Sequence, residues 1–164
     1  MYFRYILLPL LLLLCACGFH LRGSQVAATK SAVTSLAVKS VSAGQVTDQV
    51  TSQFKLGGTR IKEVQDRGDY LLTLSNEGFD RDVLSVSADT GKVKEYQLTL
   101  HVVMSVNAPD GKSLVDNETI TASRDYTFDE SSILGKSNEE MSVREDLVRQ
   151  VSGQIVRRVD AVLR

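Results

Sequence analysis

Between Tyr96 and Val106 an apolar side chain falls on every second residue: Tyr96, Leu98, Leu100, Val102, Met104 and Val106. Glu95, Gln97, Thr99, His101, Ser105 and Asn107 fill the alternate places, and only Val103 breaks the polar set. A period of two sends successive side chains to opposite faces of a strand, so this stretch predicts a long, half-buried β-strand. Pro109-Asp-Gly111 then predicts a turn, with Pro fixing one φ and Gly free to take a positive one. Leu114 to Phe128 returns, with Ile120, Ala122, Tyr126 and Phe128 in step. Two long strands joined by a short turn must be antiparallel.

The other elements arrange themselves around this pair. Val33 to Val41 sets Leu36 and Val38 against Ser35 and Lys39, a first strand. Val46, Val50 and Phe54 are four apart and make one stripe of a helix of about three turns. Ser42 is its candidate N-cap and Gly57-Gly58 its stop. Asp69 to Ser75 reads as a strand with Tyr70, Leu72 and Leu74 on one face. A further β segment lies near Val83–Val86, so the third strand reads either as one element or as a split one. Asp89-Thr-Gly91 reads as a hairpin turn. Ser137-Asn-Glu-Glu140 reads as a capping box, with Ser137 as N-cap. The helix it opens carries Met141, Val148, Val151, Ile155, Val159 and Val162 and runs to about Leu163, some 26 residues. Arg157, Arg158 and Arg164 lie toward its negative end. The expected fold is α+β: two helices packed on one face of a mostly antiparallel sheet of about four strands, order β-α-β-β-β-α.

The N-terminus carries an address. Residues 1–16 hold fourteen apolar side chains and one charge, Arg4, with a nine-position run from Ile6 to Leu14 broken once by Pro9. A membrane-spanning helix needs roughly 20 residues, so the pattern is that of a secretory signal peptide. Leu14-Cys15-Ala16-Cys17 resembles the bacterial lipobox, which requires a small residue before the modified Cys. That resemblance implies cleavage before Cys17, with diacylglycerol and an N-acyl chain on it. Several acyl chains make a stable anchor. Gly18, in a place where Asp favours the inner membrane, implies the outer one. Residues 17–32 are then a lipidated start and tether, and 33–164 a single domain. With Cys15 removed and Cys17 acylated, no internal disulfide is possible.

Charge and chemistry exclude more than they assign. Nineteen basic and twenty acidic side chains leave a net charge of −1, which argues against a globally basic nucleic-acid binder. The two His, His20 and His101, do not sit at metal spacing, so neither metal nor cofactor is expected. No phosphate-loop or dinucleotide glycine motif is present. A hydrolytic triad would have to use His20, in the tether, or His101, on a strand, with no Gly-x-Ser-x-Gly elbow to support it. Asp80 and Asp82 flanking Arg81 read as solvated bulge or loop residues, and Glu139-Glu140 is explained by the helix cap. No catalytic site is expected.

Several stretches together resemble the LptE family of lipopolysaccharide-assembly lipoproteins. Cys17-Gly-Phe-His-Leu-Arg22 is similar to that family's mature start. Gly91-Lys-Val-Lys-Glu-Tyr-Gln-Leu98 resembles its Gly-x3-Glu-Tyr strand entry. Arg124-Asp-Tyr-Thr-Phe-Asp129, followed by Leu134-Gly-Lys-Ser-Asn-Glu139, resembles its strand-to-helix connection. The resemblance implies a non-enzymatic plug and assembly partner of the LptD outer-membrane β-barrel that binds lipopolysaccharide. Lys136 matches a basic place in the connection. Asp89 stands where the family often has a basic residue, so Lys92 and Lys94 are the substitutes for lipid A phosphate contacts. Arg124 and Tyr126 are candidates to brace the sheet's rim or touch the barrel. A pilotin-like lipoprotein escorting another outer-membrane complex, or a lipid-modifying hydrolase, are the alternatives.

Replacing Cys17 with Ala is expected to release a folded domain from the membrane fraction, because nothing after residue 17 has the pattern of a membrane-spanning segment. Fractionation followed by circular dichroism checks this, and an unfolded or aggregated product would contradict it.

Overall fold

A computed structural model describes residues 33–63, 65–66, 68–128 and 133–164, with side chains in the last stretch from Glu139 onward. The elements in chain order are β1 (Ser35–Val41), α1 (Gly44–Leu56), β2 (Arg60–Lys62), β3 (Tyr70–Val86), β4 (Val93–Asn107), β5 (Ser113–Thr127) and α2 (Ile133–Val162). The signal, the tether and Cys17 lie outside the described residues.

β4 behaves as its alternation requires. Leu98, Leu100, Val102, Met104 and Val106 are completely buried, while the residues between them are half-buried on the other face. β3 and β5 flank β4 in antiparallel register, Leu100 opposite Phe79 on one side and Ala122 on the other. The sheet order is β2-β1-β3-β4-β5. β1 is parallel to both β2 and β3. Parallel neighbours need a crossover, and α1 supplies the one between β1 and β2. Both helices lie over the face carrying the buried β4 residues. Val46, Val50 and Phe54 of α1 join Val143, Leu147, Val151, Ile155 and Val159 of α2 in the same core. The α+β class, the helices on one face and the mostly antiparallel sheet all agree with the sequence reading.

The differences have physical causes. The extra strand, β2, is three residues long, too short to show a period. β3 is one 17-residue strand rather than two, because register shifts between Ser75 and Gly78 and between Val83 and Ser85 are absorbed within the ladder. Asn76 takes the positive φ that the first of these requires. Ser42 is not the cap of α1: it has φ 58°, Ala43 is the N-cap residue, and no side chain of Ala43 can cap. Glu77, 31 residues away, does the work instead, its Oε2 accepting from Val46 N at 3.2 Å. α1 does end at the glycines, with Gly58 at φ 86°. α2 begins at Ile133, so Ser137 lies inside the helix and is not its N-cap. Met141 is 55% exposed, and the core stripe runs instead through Val143 and Leu147.

His101 is placed by a glycine. Its ring lies so close to Gly78 across the strand pair that a Cβ there would stand 2.5 Å from His101 Cε1 and Nε2. Its Nδ1 is 3.1 Å from Asp80 Oδ2, on the sheet face away from the helices. Gly78→Ala is therefore expected to cost about 1–3 kcal/mol of stability through overpacking. The double variant Gly78→Ala/His101→Ala should recover much of it. Denaturant melts of the three proteins check this, and additive losses would show that the His101 ring is not the obstacle.

Candidate functional site

The β3–β4 hairpin closes with Ser87 N donating to Lys92 O at 2.7 Å and Gly91 N to Ser87 O at 2.8 Å. Gly91 has φ 68°, which the turn needs and a larger side chain resists. On the other side of β4, Phe128 N donates to Lys94 O at 2.7 Å and carries the pairing one step beyond β5. These bonds bring Ser87, Thr90, Lys92, Val93 and Lys94 against Thr127 and Phe128 around an open cleft of about 390 Å³. Two ammonium-bearing side chains, two hydroxyls near the turn and an apolar wall of Val93 and Phe128 suit a ligand that is both anionic and greasy. Val83, Leu84 and Val86 near the tip of β3 are each at least half exposed, so the hairpin end is apolar beyond the cleft as well.

The cleft's Phe128 is the outer member of an aromatic group. Its ring meets Tyr96 edge-on at 5.1 Å, and Tyr96 stacks on Tyr126 at 5.8 Å. Such pairs favour offset or edge-on geometry because ring edges are positive and faces negative. The Arg81 guanidinium lies 4.9 Å from the Tyr96 centroid, and that of Arg144 lies 4.5 Å from Phe79. Both arginines turn to Glu140. Arg144 donates from Nε and Nη2 to Oε1 at 3.1 and 2.9 Å, and Arg81 Nη1 is 3.3 Å from Oε2. The Tyr126 hydroxyl donates to the same Oε2 at 3.0 Å. Burial opposes ionisation of Glu140. The Arg144 and Tyr126 hydrogen bonds and the two arginine charges outweigh it, holding the carboxyl below its ordinary range. Burial, followed by the bond to Glu140, pushes the Tyr126 phenol up.

The structure thus brings Lys92 and Lys94 together in the cleft. Lys136 lies in α2 outside the described side chains. Arg124 donates to Asp146 Oδ2 at 2.7 Å and braces α2 on β5, while more than half of its side chain remains exposed. Tyr126 is 8% exposed, with its ring and its hydroxyl both engaged. The reading of Asp80, Arg81 and Asp82 as bulge or loop residues is corrected: they pair in register with Thr99, Leu98 and Gln97 of β4. Glu140 likewise is not a capping residue but the centre of the arginine pair. Sequence reasoning missed this cluster because Arg81 and Glu140 are 59 residues apart. The one local hint is the Glu140–Arg144 spacing of four on a helix.

Comparison with known proteins agrees with the geometry. The sequence profile described as "LptE: Lipopolysaccharide-assembly" matches residues 33–159. The chain is 31% identical over 150 residues to the LPS-assembly lipoprotein LptE of Pectobacterium atrosepticum, covering 90% of this chain and 79% of that protein. It is 34% identical over 148 residues to the LPS-assembly lipoprotein LptE of Photorhabdus laumondii, covering 82% and 76%. Among solved structures, the rare lipoprotein B of Shewanella oneidensis is similar with a TM-score of 0.66 at 25% identity, covering 76% of this chain and 94% of that one. A lipoprotein B from Nitrosomonas europaea shares the fold, with a TM-score of 0.73 at 19% identity over 88% and 91%. With the profile spanning the whole helix-and-sheet domain and both curated relatives matching most of its length, the chain belongs to the LptE lipopolysaccharide-assembly family.

Proposed function

We propose that this chain is a non-enzymatic lipoprotein of the outer membrane, anchored through acylated Cys17 on the periplasmic side. In this reading it binds lipopolysaccharide at the Lys92–Lys94 cleft and serves as plug and assembly partner of an LptD-type β-barrel. The observation that carries the lipid reading is the cleft itself, where Lys92 and Lys94 stand beside Val93 and Phe128. Lipid A presents phosphates next to acyl chains. An ammonium pair beside an apolar wall matches both parts at once, and charge-assisted contacts to phosphate are the strong ones. Lys136 is the third basic candidate, on sequence grounds.

The barrel reading is supported by the other face of the sheet. Thr73, Ser75, Gln97, Thr99, Thr121 and Ser123 lie there, uncovered by either helix. Many of these groups already satisfy one another, as in Gln97 to Asp125 at 2.9 Å and Thr99 with Ser123 at 2.9 Å. A polar face of this kind is compatible with a barrel lumen, which is also polar. Arg124, on the helix side of β5 and more than half exposed, is the candidate rim contact of this reading.

Two measurements test the proposal. Outer membranes extracted in mild detergent and captured on a C-terminal tag should yield one large β-barrel at roughly equal amount. A ring-forming secretin in its place would favour the pilotin-like reading. Lys92→Glu/Lys94→Glu should weaken lipopolysaccharide binding by about tenfold or more, the scale of losing charged hydrogen bonds. Its thermal melt should match that of the unaltered protein. Equal affinity would remove the cleft from the proposal.

A further inference from the structure

Glu140 occupies what is otherwise an anion site. Three side chains from two elements of the sheet and one helix converge on its carboxylate: Arg81 of β3, Tyr126 of β5 and Arg144 of α2. Both guanidinium groups also lie over ring faces, Arg81 on Tyr96 and Arg144 on Phe79, contacts that do not depend on the carboxylate. A phosphate, though tetrahedral, also presents guanidinium with a pair of oxygens that can accept two parallel N–H bonds, as a carboxylate does. The site is reachable, since half of the Arg81 side chain and a quarter of the Glu140 side chain are exposed. Two cations face one anion there, so a positive charge remains even with Glu140 in position.

This site shares a face with the cleft. Arg81 pairs with Leu98, whose side chain is in the core beneath the helices, and Lys94 lies four residues before Leu98 along β4. Four strand residues span about 13 Å. Tyr96 sits between the two positions, and its ring touches both Phe128 of the cleft and Arg81.

We propose that Arg81 and Arg144 form a second anion subsite, held closed by Glu140, and that the ligand of this face carries two phosphates rather than one. The chemistry that fits is an acylated disaccharide with a phosphate at each end, one at Lys92 and Lys94 and the other displacing Glu140. The inference rests on the reading that the cleft takes the lipid. Glu140 then acts as an internal competitor, and its removal strengthens binding even though it breaks ion pairs. A purely structural role predicts the opposite sign.

The test titrates the full-length protein in detergent with bisphosphorylated lipid A and, separately, with monophosphoryl lipid A. The unaltered protein should prefer the bisphosphorylated form by about tenfold, the scale of one charge-assisted pair. Arg81→Ala should bring that ratio close to one. Glu140→Gln should raise it several-fold, with a thermal melt recorded alongside to show that the variant is folded. A ratio of one in the unaltered protein overturns the second subsite and leaves the cleft standing. So does a ratio that neither variant shifts. Failure of both lipids to bind overturns the cleft reading together with it.

Discussion

The apolar side of β4 is the surface on which the rest of the domain is assembled. Leu98, Leu100, Val102, Met104 and Val106 are buried without remainder, α2 and both neighbouring strands meet there, and α1 packs beside α2 in the same core. A strand in the middle of a sheet cannot slip by one residue without sending that whole set to the other face. Its register therefore fixes β3 and β5, and through them where α2 must lie. Burying side chains of this size stabilises by about 1.5–3 kcal/mol each, which no surface contact in the molecule approaches.

The functional end is the continuation of that same side. Moving along β4 from Leu100 towards Val93, the inward residues change from aliphatic to aromatic, Leu98 then Tyr96, and the exposed Lys94 follows at the register shift near the strand's start. The neighbouring strands change with it, Phe79 to Arg81 on β3 and Ala122 to Arg124 and Tyr126 on β5. The core thus opens gradually into a surface that keeps an apolar floor but offers charge at its edge. Glu140 marks the boundary. It lies on α2, the element that covers the core, yet its carboxylate is bonded to the first exposed cations beyond it.

Local periodicity explains what could be read from the chain. The alternation of β4, the α1 stripe through Val46, Val50 and Phe54, and the turn glycines Gly91 and Gly111 are each properties of a few neighbouring residues. The family resemblance and the Lys92–Lys94 pair were legible for the same reason. What could not be read depends on distant partners. Ser42 has the side chain of an N-cap, but the cap position falls one residue later, at Ala43, and the Val46 N–H is satisfied by Glu77 from β3. Ser137 and Glu140 have the spacing of a capping box. The helix nevertheless starts earlier, and Arg81 and Tyr126 claim the Glu140 carboxylate. Asn76 and Gly78 look like a break between strands. Their backbone instead accommodates extra residues inside one strand, and Gly78 makes room for the His101 ring.

A net charge of −1 conceals how these charges are sorted. Asp80-Arg81-Asp82, Lys94-Glu95 and Arg124-Asp125 each alternate in sign along a strand. Because strand side chains alternate between faces, Arg81 and Arg124 fall on the helix side, while Asp80, Asp82, Glu95 and Asp125 fall on the uncovered side. The acidic strand residues at the outer end of the sheet thus face away from the helices, while Arg81 and Arg124 on the helix side pair with Glu140 and Asp146 of α2. The period of two in the sequence thus sorts charge between the faces of the sheet as it sorts apolar side chains into the core.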